Sequence, residues 1–570
     1  MDQPTVGRRE DVDLYTRTYN TVLRTSGEVR LRAFERAHIN VCPALHAGSG
    51  RPEPDTGALI YAANRLPVVI GCVRRVILGQ LPEHFERALG SRLMEWQSVQ
   101  APARRRQWHY DGAETLAAHV ASTSDIDDVI PTLVAYQIEW NKLHARLRAN
   151  APLQVLVQQL GANSDAAPVD ELREYLGINP DDWSRLQRVW GDQFCPMLSA
   201  IATSEKDFLV RLLGGTDVGY AKLTRRWWRP IGSTLAQRGL EGRPIYFVSS
   251  NLHSLVNLVS GYAPRRAQIL WSFLAQSGTA NPSGEAAELA ALRGQANTQN
   301  VLYYAARLWH QAHPQSTVKS RREVEELERD IVSIAPVEGA DVGAQLIELS
   351  QLDPADFDPR LADVAEAVRQ SDAVILNIDY PLGMGAYHIL RQVSEAVDNL
   401  VGVYVLGKAA TLNGDIGDVL IADFVRDEHT GNTNSFDNAF SYSDVAPFLE
   451  RGSVLDNQRA VSVKGTFLQN REYLDLFYRE SDTVVEMEAS PYLAALFEAT
   501  HVSRHPLGEA IHFRKLPLDF GLIHYASDTP YTRARTLGGR SLSFEGVDST
   551  YAAAVAILRR VFKRELLRRT

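Results

Sequence analysis

The last third of the chain carries the clearest pattern of hydrophobic and polar positions. Two largely apolar runs, at 484–488 and 521–528, end on carboxylates: Glu486 and Glu488 in the first run, Asp528 in the second. Short apolar runs of this kind are typical of buried β-strands. Because functional groups in open α/β sheets gather at the carboxyl ends of strands, the pattern predicts a site where these two strands end.

The spacing of the first acidic pair suits a sugar. On an extended chain, Glu486 and Glu488 point to the same face, and Met487 points to the other. Such an arrangement lets one carboxylate accept hydrogen bonds from two neighbouring hydroxyl groups.

Other segments of this half predict an α/β fold with a mixed central sheet and flanking helices. Residues 244–248 predict the first buried strand, followed by a turn into a helix. Residues 343–350 and 372–379 predict two strands separated by a helix over 359–370, a β-α-β unit that favours parallel pairing. An apolar stripe over 549–569 predicts a C-terminal helix.

The first 242 residues show mostly helical periodicity, with apolar positions three and four residues apart in 13–31 and 126–147. We therefore expect a large all-α domain over residues 1–242, acting as a lid, an oligomer interface or a regulatory module. An α/β domain follows over 243–570, with a mostly helical, charged insertion at about 263–332.

The strand ends resemble a known superfamily. Glu486-Met487-Glu488, followed downstream by Ser527-Asp528, is similar to the nucleoside phosphorylases and nucleosidases, which include purine nucleoside phosphorylase, methylthioadenosine nucleosidase and AMP nucleosidase. Four further segments occur in the family's order: a Gly-Met-Gly turn at 383–385, a glycine-rich anion loop at 405–410, a Gly-Asp-apolar strand at 417–422 and a base-stacking segment at 465–477. The resemblance covers roughly the last 330 residues and implies a nucleoside phosphorylase-like fold.

Carried over by position, the resemblance implies the central roles. Glu488 would hold the ribose hydroxyls, Met487 would pack against the sugar beside Glu486, and Asp528 would donate a proton to the leaving base. Arg540 lies near the position where purine phosphorylases place an arginine that assists the base. From the residues alone, Glu488 is equally a candidate N-cap acid for a helix over 489–499, and Asp528 a turn former.

The same resemblance places the base beside Ser527, stacked on Phe467 or Tyr473. Aromatic residues in such a segment are also common core residues.

The second substrate is left open, because the nucleophile residues depart from both subfamilies. The anion loop keeps Gly407 and carries Lys408, but a valine stands where phosphorylases have an arginine, so phosphate loses its forked partner. The turn with Ser249, Asn251 and His253 lacks the general-base glutamate of the nucleosidases. Either Asn251 or His253 could position water or an anion there, while a histidine beside a helix start is often structural.

These residues favour cleavage of the N-glycosidic bond of a purine-type nucleoside or nucleotide, by hydrolysis rather than phosphorolysis. A catalytically altered nucleoside- or nucleotide-binding sensor and a ribosyl transferase are the alternatives. The similarity of 426–429 to AMP nucleosidase makes Arg426 or Lys464 candidate contacts for a 5′-phosphate.

Composition and charge limit the classes of binding partner and the cellular location that we expect for this protein. The chain has 45% hydrophobic and 23% charged residues and a net charge of −9, which gives no basic surface for nucleic acid. Three cysteines without metal-ligand spacing and no signal-peptide pattern at the N-terminus favour the cytoplasm. The apolar run at 66–78 is too short to span a membrane. We expect a small-molecule nucleoside or nucleotide partner, with phosphate as a candidate second ligand, and no cofactor or metal. By resemblance only, we expect a homo-oligomer.

Overall fold

The computed structural model describes residues 9–90, 93–159, 169–280, 285–294, 298–313, 322, 325–501, 503–530 and 544–568. Arg540 and the other residues of 531–543 lie outside these ranges.

The first part of the chain, up to residue 242, combines helices with a sheet. Its strands are β1 Val29–Arg30, β2 Arg75–Gly79, β3 Gln97–Ala101, β4 Arg104–Tyr110, β5 Thr115–His119 and β6 Leu209–Leu213. Its helices are α1 Arg9–Val22, α2 Arg32–Val41, α3 Thr56–Arg65, α4 Pro82–Leu89, α5 Thr123–Arg148, α6 Ala151–Gln159, α7 Val169–Leu176, α8 Pro180–Trp190, α9 Phe194–Thr203 and α10 Asp217–Gln237.

The six strands form one sheet in the order β1-β6-β2-β5-β4-β3, with β2 parallel to β5 and β6. The large helical portion is confirmed, but the prediction that this part is all-α is wrong. The strands are short, and those at the centre of the sheet are buried, with four of five residues in β2 and all five in β5, whereas β3 at the edge is mostly exposed. Apolar runs of this length do not distinguish a buried strand from a buried helix.

The 26-residue helix α5 is the central helix of the first part. Its start is a capping box, in which the side chain of Ser122 accepts a backbone hydrogen bond and that of Asp125 accepts the N–H groups of Ala121 (2.8 Å) and Ser122 (3.1 Å). Most of α5 is buried between the sheet and the neighbouring helices.

The second part contains eleven strands and ten α-helices in its described residues. The strands are β7 Ile245–Ser250, β8 Ile331–Ile334, β9 Ala344–Glu348, β10 Val374–Asp379, β11 Leu400–Thr411, β12 Val419–Asp427, β13 Thr433–Phe436, β14 Val454–Ser462, β15 Val484–Glu486, β16 Ala510–Phe513 and β17 Asp519–Asp528. The helices are α11 Ser254–Ser260, α12 Tyr262–Arg265, α13 Ala267–Ala280, α14 Glu285–Ala291, α15 Thr298–Ala312, α16 Gly385–Ala396, α17 Tyr442–Val445, α18 Arg471–Arg479, α19 Ala489–Thr500 and α20 Phe544–Leu567.

Short 3₁₀ helices connect several of these elements. They are Ala44–His46, Val68–Gly71, Leu93–Glu95, Gly191–Gln193, Leu349–Gln351, Pro354–Asp356, Pro359–Gln370, Ala446–Phe448 and Thr466–Leu468.

The second part is an α/β fold with a mixed sheet and flanking helices, as the sequence predicts. The strand order is β16-β13-β12-β14-β15-β11-β7-β10-β9-β8, and β17 pairs with both β11 and β12. Since β11 also pairs with β15, β15 with β14, and β14 with β12, five strands close into a small barrel within the sheet.

The predicted parallel pairing of the two strands around 343–379 is wrong. β9 and β10 are antiparallel, with Ala344 opposite Ile378 and Glu348 opposite Val374. Their connection consists of three 3₁₀ segments and returns to the sheet edge that it left. Helical periodicity between two strands does not reveal whether the connection crosses the sheet or returns.

Both parts of the chain pack into a shared core. Leu223, Trp227 and Ile231 of α10 belong to the same apolar cluster as Phe247 of β7 and Leu376 of β10. The boundary near residue 242 stays a prediction. Helices α13, α14 and α15 occupy the region of the predicted insertion.

In the part of the chain that the structure describes, no helix is long and apolar enough to cross a membrane.

Candidate functional site

The carboxyl ends of several strands meet at one large cavity. β7 runs parallel to β10 and β11, and β11 runs parallel to β17. Ser250, Asp379 and Asp528, the last residues of β7, β10 and β17, all line this cavity. Its volume is about 1910 Å³. Drug-sized ligands usually occupy roughly 300–1,000 Å³, so the cavity has room for more than one small molecule.

Glu486 organises the turn from β15 into α19. Its carboxylate accepts the backbone N–H groups of Glu488 and Ala489, both at 2.6 Å, and the hydroxyl of Ser462. Burial raises the pKa of Glu486 to about 7, against these hydrogen bonds. Glu486 therefore holds the backbone that presents Glu488.

The carboxylate of Glu488 lies in the cavity wall. Its Oε1 accepts the N–H of Gly383 at 2.8 Å, and its residue is 5% exposed. Burial and the charge of Glu486 raise the pKa of Glu488 to about 8. The side chain makes no hydrogen bond to the start of α19. Glu488 does occupy the N-cap position of α19, but the alternative that its side chain caps the helix is wrong, because the carboxylate of Glu486 accepts the N–H groups there.

Gly383 ties this acid to the first part of the chain. It has a φ of 48°, and a Cβ at this position would lie 2.3 Å from Oγ of Ser124, in α5. The same Oγ accepts the N–H of Met384 at 2.9 Å. The Gly-Met-Gly turn thus holds Glu488 on one side and packs against α5 on the other.

Asp528 and Ser527 lie at the end of β17, in the same cavity as Glu488 and Met487. The Ser527 hydroxyl lies 2.7 Å from Oδ2 of Asp528 and 3.3 Å from the carbonyl oxygen of Ala409. Within the sheet, Ala410 of β11 is opposite both Asp528 and Val485. Two strand spacings separate the backbones of those two residues by roughly 10 Å.

The predicted anion loop lies on β11 and faces the cavity. Gly407 is required there, because a Cβ would lie 2.2 Å from the hydroxyl oxygen of Tyr380. Lys408 is exposed to the cavity, and the described residues give its ammonium group no hydrogen bond or ion pair. Desolvation by the surrounding protein lowers the pKa of Lys408, and the charge of Asp528 opposes this effect.

The first-strand turn contributes two of its three predicted residues. Asn251 and His253 line the cavity, whereas Ser249 is buried and is not part of the described wall. Oδ1 of Asn251 accepts the N–H groups of His253 (3.0 Å) and Ser254 (2.7 Å) and so caps α11. Burial lowers the pKa of His253 to about 3. Its imidazole is neutral at pH 7 and can orient a water molecule.

The two aromatic candidates lie elsewhere. Phe467 packs edge-on against Tyr61 at 5.0 Å and beside His38 at 5.8 Å, inside the first part of the chain. Tyr473 stacks on Phe477 at 6.0 Å. Neither is among the described residues of the cavity wall, so their position gives no support to a base-stacking role. Their rings are used for core packing, which sequence alone does not separate from ligand stacking.

The candidate 5′-phosphate contacts are also engaged elsewhere. Arg426 forms ion pairs with Glu480 and, at 3.0 Å, with Asp482. Lys464 lies 3.9 Å from Asp13. Both are absent from the described lining residues.

The structure adds arginines that the sequence interpretation missed. Arg65 at the end of α3, Arg104 at the start of β4 and Arg307 of α15 all line the cavity. Arg104 donates to Asp128, at 2.7 Å for the shortest contact. Burial works against its charge, but Asp128 and Glu488 keep the pKa of Arg104 raised. The run of three arginines at 104–106 was a visible signal, whereas Arg65 and Arg307 had none.

Among the described residues, no group of three or more His, Cys, Asp or Glu side chains is arranged to hold a metal ion.

Comparisons with known proteins give one family and several distant structures. A family model described as "Family of unknown function (DUF6909)" matches residues 31–563. No curated protein matches the chain.

The similar solved structures include the 5′-methylthioadenosine/S-adenosylhomocysteine nucleosidase from Neisseria meningitidis in complex with methylthio-immucillin-A. It is 16% identical, has a TM-score of 0.27, and the match covers 42% of this chain and 94% of that one. An adenosine/methylthioadenosine phosphorylase double mutant from Schistosoma mansoni, in complex with adenine, is 11% identical with a TM-score of 0.24, covering 33% and 76%. Uridine phosphorylase from Vibrio fischeri is 12% identical with a TM-score of 0.26, covering 44% and 88%. At these TM-scores the similarities carry no argument for this chain, so its function has to be inferred from the cavity itself.

Proposed function

The chain belongs to the family of unknown function DUF6909, and we propose that it cleaves the N-glycosidic bond of a purine-type nucleoside or nucleotide. The observation that carries this proposal is the meeting of two acids, Glu488 and Asp528, in the wall of one cavity. Met487 and Ser527 line the same cavity, so four residues of the family-like motifs lie together there.

The reaction needs a group that binds the ribose hydroxyls and a group that donates a proton to the leaving base. As the bond between C1′ and the base nitrogen breaks, its electron pair passes to the base, and Asp528 gives the base a proton. Water attacks C1′ and releases a proton to solvent. Proton donation of this kind contributes roughly 10²–10⁴ in rate. With its pKa raised to about 8, Glu488 would lose its proton as the substrate binds and then accept hydrogen bonds from the ribose hydroxyls, each worth about 1.5–3 kcal/mol to a charged acceptor.

The strands that lead to the two acids support these roles. They flank β11 on either side, with the backbones of Val485 and Asp528 roughly 10 Å apart, which leaves room for a sugar and a base in the cavity that both acids line. The hydroxyl of Ser527 lies within hydrogen-bond distance of Asp528 and restricts its orientation.

Hydrolysis is favoured over phosphorolysis by the residues of the anion loop. Lys408 offers a point charge and not the forked donor pair of an arginine. The neutral imidazole of His253 can orient a water molecule in the same cavity. A cytoplasmic location and self-association remain parts of this proposal that come from the sequence and the resemblance.

Ribosyl transfer is the second candidate, and the volume of the cavity favours it. About 1910 Å³ exceeds what one nucleoside needs and leaves space for an acceptor.

The test is a chromatographic assay of the purified protein with a panel of nucleosides and 5′-nucleotides, with and without phosphate. We expect release of free base and free ribose or ribose phosphate, lost in Glu488→Ala and reduced roughly 10²–10⁴-fold in Asp528→Asn. A ribose 1-phosphate product would show that the reaction is phosphorolysis and not hydrolysis, and a new glycoside would show that it is ribosyl transfer. Binding without release, unchanged in Asp528→Asn, would overturn catalysis in favour of a sensor.

A further inference from the structure

Three cations from separate segments reach the cavity without a carboxylate partner among the described residues. Arg65 comes from the first part of the chain, Arg307 from the helical insertion, and Lys408 from β11. The guanidinium group of Arg307 makes no hydrogen bond or ion pair with described residues and lies 5.7 Å from the ring centre of Tyr304. Positive charge without a partner inside a protein is costly unless a ligand uses it.

Arg65 is the most informative of the three, because it is 5% exposed. Its guanidinium carbon lies 3.3 Å from the ring centre of Tyr61, and its Nη1 donates to the carbonyl oxygen of the same residue at 3.3 Å. Its Nε is buried without a hydrogen-bond partner. Burial lowers the pKa of Arg65 to about 10, so the side chain is still charged at neutral pH.

The three cations share one electrostatic environment. The charges of Asp128 and Asp528 oppose the lowering of the pKa of Arg65, Asp528 also opposes it for Lys408, and the charge of Arg307 adds to the lowering for Lys408. The neighbouring Arg104 is neutralised by Asp128 at 2.7 Å. Asp128 is already paired with Arg104, and Asp528 acts on both Arg65 and Lys408, so Arg65, Arg307 and Lys408 together leave an excess of positive charge in this region.

We propose that Arg65, Arg307 and Lys408 form an oxyanion subsite for a phosphate group, next to the predicted sugar and base positions. An arginine offers two parallel N–H donors to phosphate, and a lysine adds a point charge. The first part of the chain then completes the substrate site and is more than a cover for it. The inference rests on the proposed function for its location beside the nucleoside. The phosphate belongs either to a nucleoside 5′-phosphate or to inorganic phosphate as the second substrate.

The experiment is isothermal titration calorimetry of the full chain with adenosine, adenosine 5′-monophosphate and inorganic phosphate. The variants are Arg65→Gln and Arg307→Gln, and the matched control is Arg185→Gln, which lines the same cavity but is paired with Asp182 at 3.1 Å. Calorimetric unfolding checks that each variant is folded. Arg307 is only partly buried and makes no described hydrogen bond, so its variant keeps the test valid if Arg65→Gln does not fold.

We expect the monophosphate to bind more tightly than adenosine, and each subsite variant to weaken its binding roughly 10- to 100-fold. Adenosine binding should stay unchanged in these variants, and the control should bind all three ligands like the wild type. If instead the variants weaken inorganic phosphate with adenosine present, the subsite holds the second substrate. Equal binding of adenosine and the monophosphate, with no measurable binding of inorganic phosphate, overturns the subsite.

Base release is measured in parallel and separates the two proposals. Release from adenosine without any response to phosphate or to the variants upholds the proposed function and removes the subsite. Monophosphate binding that depends on Arg65, without base release, upholds the subsite and removes the proposed function.

Discussion

Replacing Glu488 by glutamine should stabilise the protein and at the same time remove the carboxylate proposed to bind the ribose hydroxyls. Burial and the charge of Glu486 raise the pKa of Glu488 from 4.5 to about 8. The amide oxygen of glutamine can still accept the N–H of Gly383, which now lies 2.8 Å from the carboxylate. The substitution therefore removes an ionisable group that the fold disfavours and keeps its hydrogen bond.

The sign and size of this change in stability follow from the protons bound by the folded and the unfolded chain. Below about pH 4.5 the carboxyl is protonated in both the folded and the unfolded chain, and its ionisation does not affect stability. As pH rises from 4.5 to 8, the unfolded chain loses this proton and the folded chain keeps it, so the wild type loses stability. At about 1.36 kcal/mol per pH unit, the advantage of Glu488→Gln should grow by about 3 kcal/mol between pH 5 and pH 8.

Differential scanning calorimetry at the two pH values measures this effect. With an unfolding entropy of about 2.1 cal/mol/K per residue, the variant should gain about 2 to 3 °C in Tm relative to the wild type between pH 5 and pH 8. Glu366→Gln is the control, because its side chain is 75% exposed and pairs only with Arg369 in the described structure. A Tm that falls equally at both pH values would show an ionised, stabilising carboxylate and refute the reasoning.

Three further predictions concern the same site and its surroundings. Gly383→Ala should lower Tm and weaken substrate binding, because φ is 48° and its Cβ would meet Oγ of Ser124 at 2.3 Å, whereas Gly385→Ala, whose nearest contact is 3.6 Å, should not. Phe467→Ala should lower the free energy of unfolding by about 3–5 kcal/mol in urea titrations and leave the KM for substrate unchanged; a raised KM with normal stability would place its ring at the base. Nucleoside binding at pH 7 should release about one proton from the wild type and none from Glu488→Gln. Titration calorimetry in buffers of different ionisation enthalpy measures this release. Equal release by both proteins would contradict binding of the ribose hydroxyls by the ionised carboxylate.

The local pattern was sufficient for the acids at the strand ends. Buried strands such as β15 and β17 leave a contiguous apolar signature, and the polar residue that ends each one is visible in the same window. Glu488 and Asp528 could therefore be named, and the mixed sheet with flanking helices could be expected. Their placement in one cavity follows because both strands flank β11 at Ala410.

Long-range packing decided what the local pattern does not contain. Whether β9 and β10 run antiparallel depends on the path of the connection, and whether the ring of Phe467 meets a ligand or Tyr61 depends on a segment about 400 positions earlier in the sequence. The short strands of the first part satisfy helix and strand patterns alike, so pairing across the sheet settled their conformation.

The arginines of the cavity show the same difference between what the local sequence and what long-range packing determine. Arg65 is an ordinary residue at the end of a helix in the sequence, and only the docking of the first part against the strand ends brings it to the cavity that holds Asp528. By itself, then, the sequence determined which side chains end the central strands, because burial and direction along a strand are local properties. Tertiary structure alone decided which distant side chains meet them, because the packing that brings Arg65 and Arg307 to the wall of one cavity joins segments far apart in the chain.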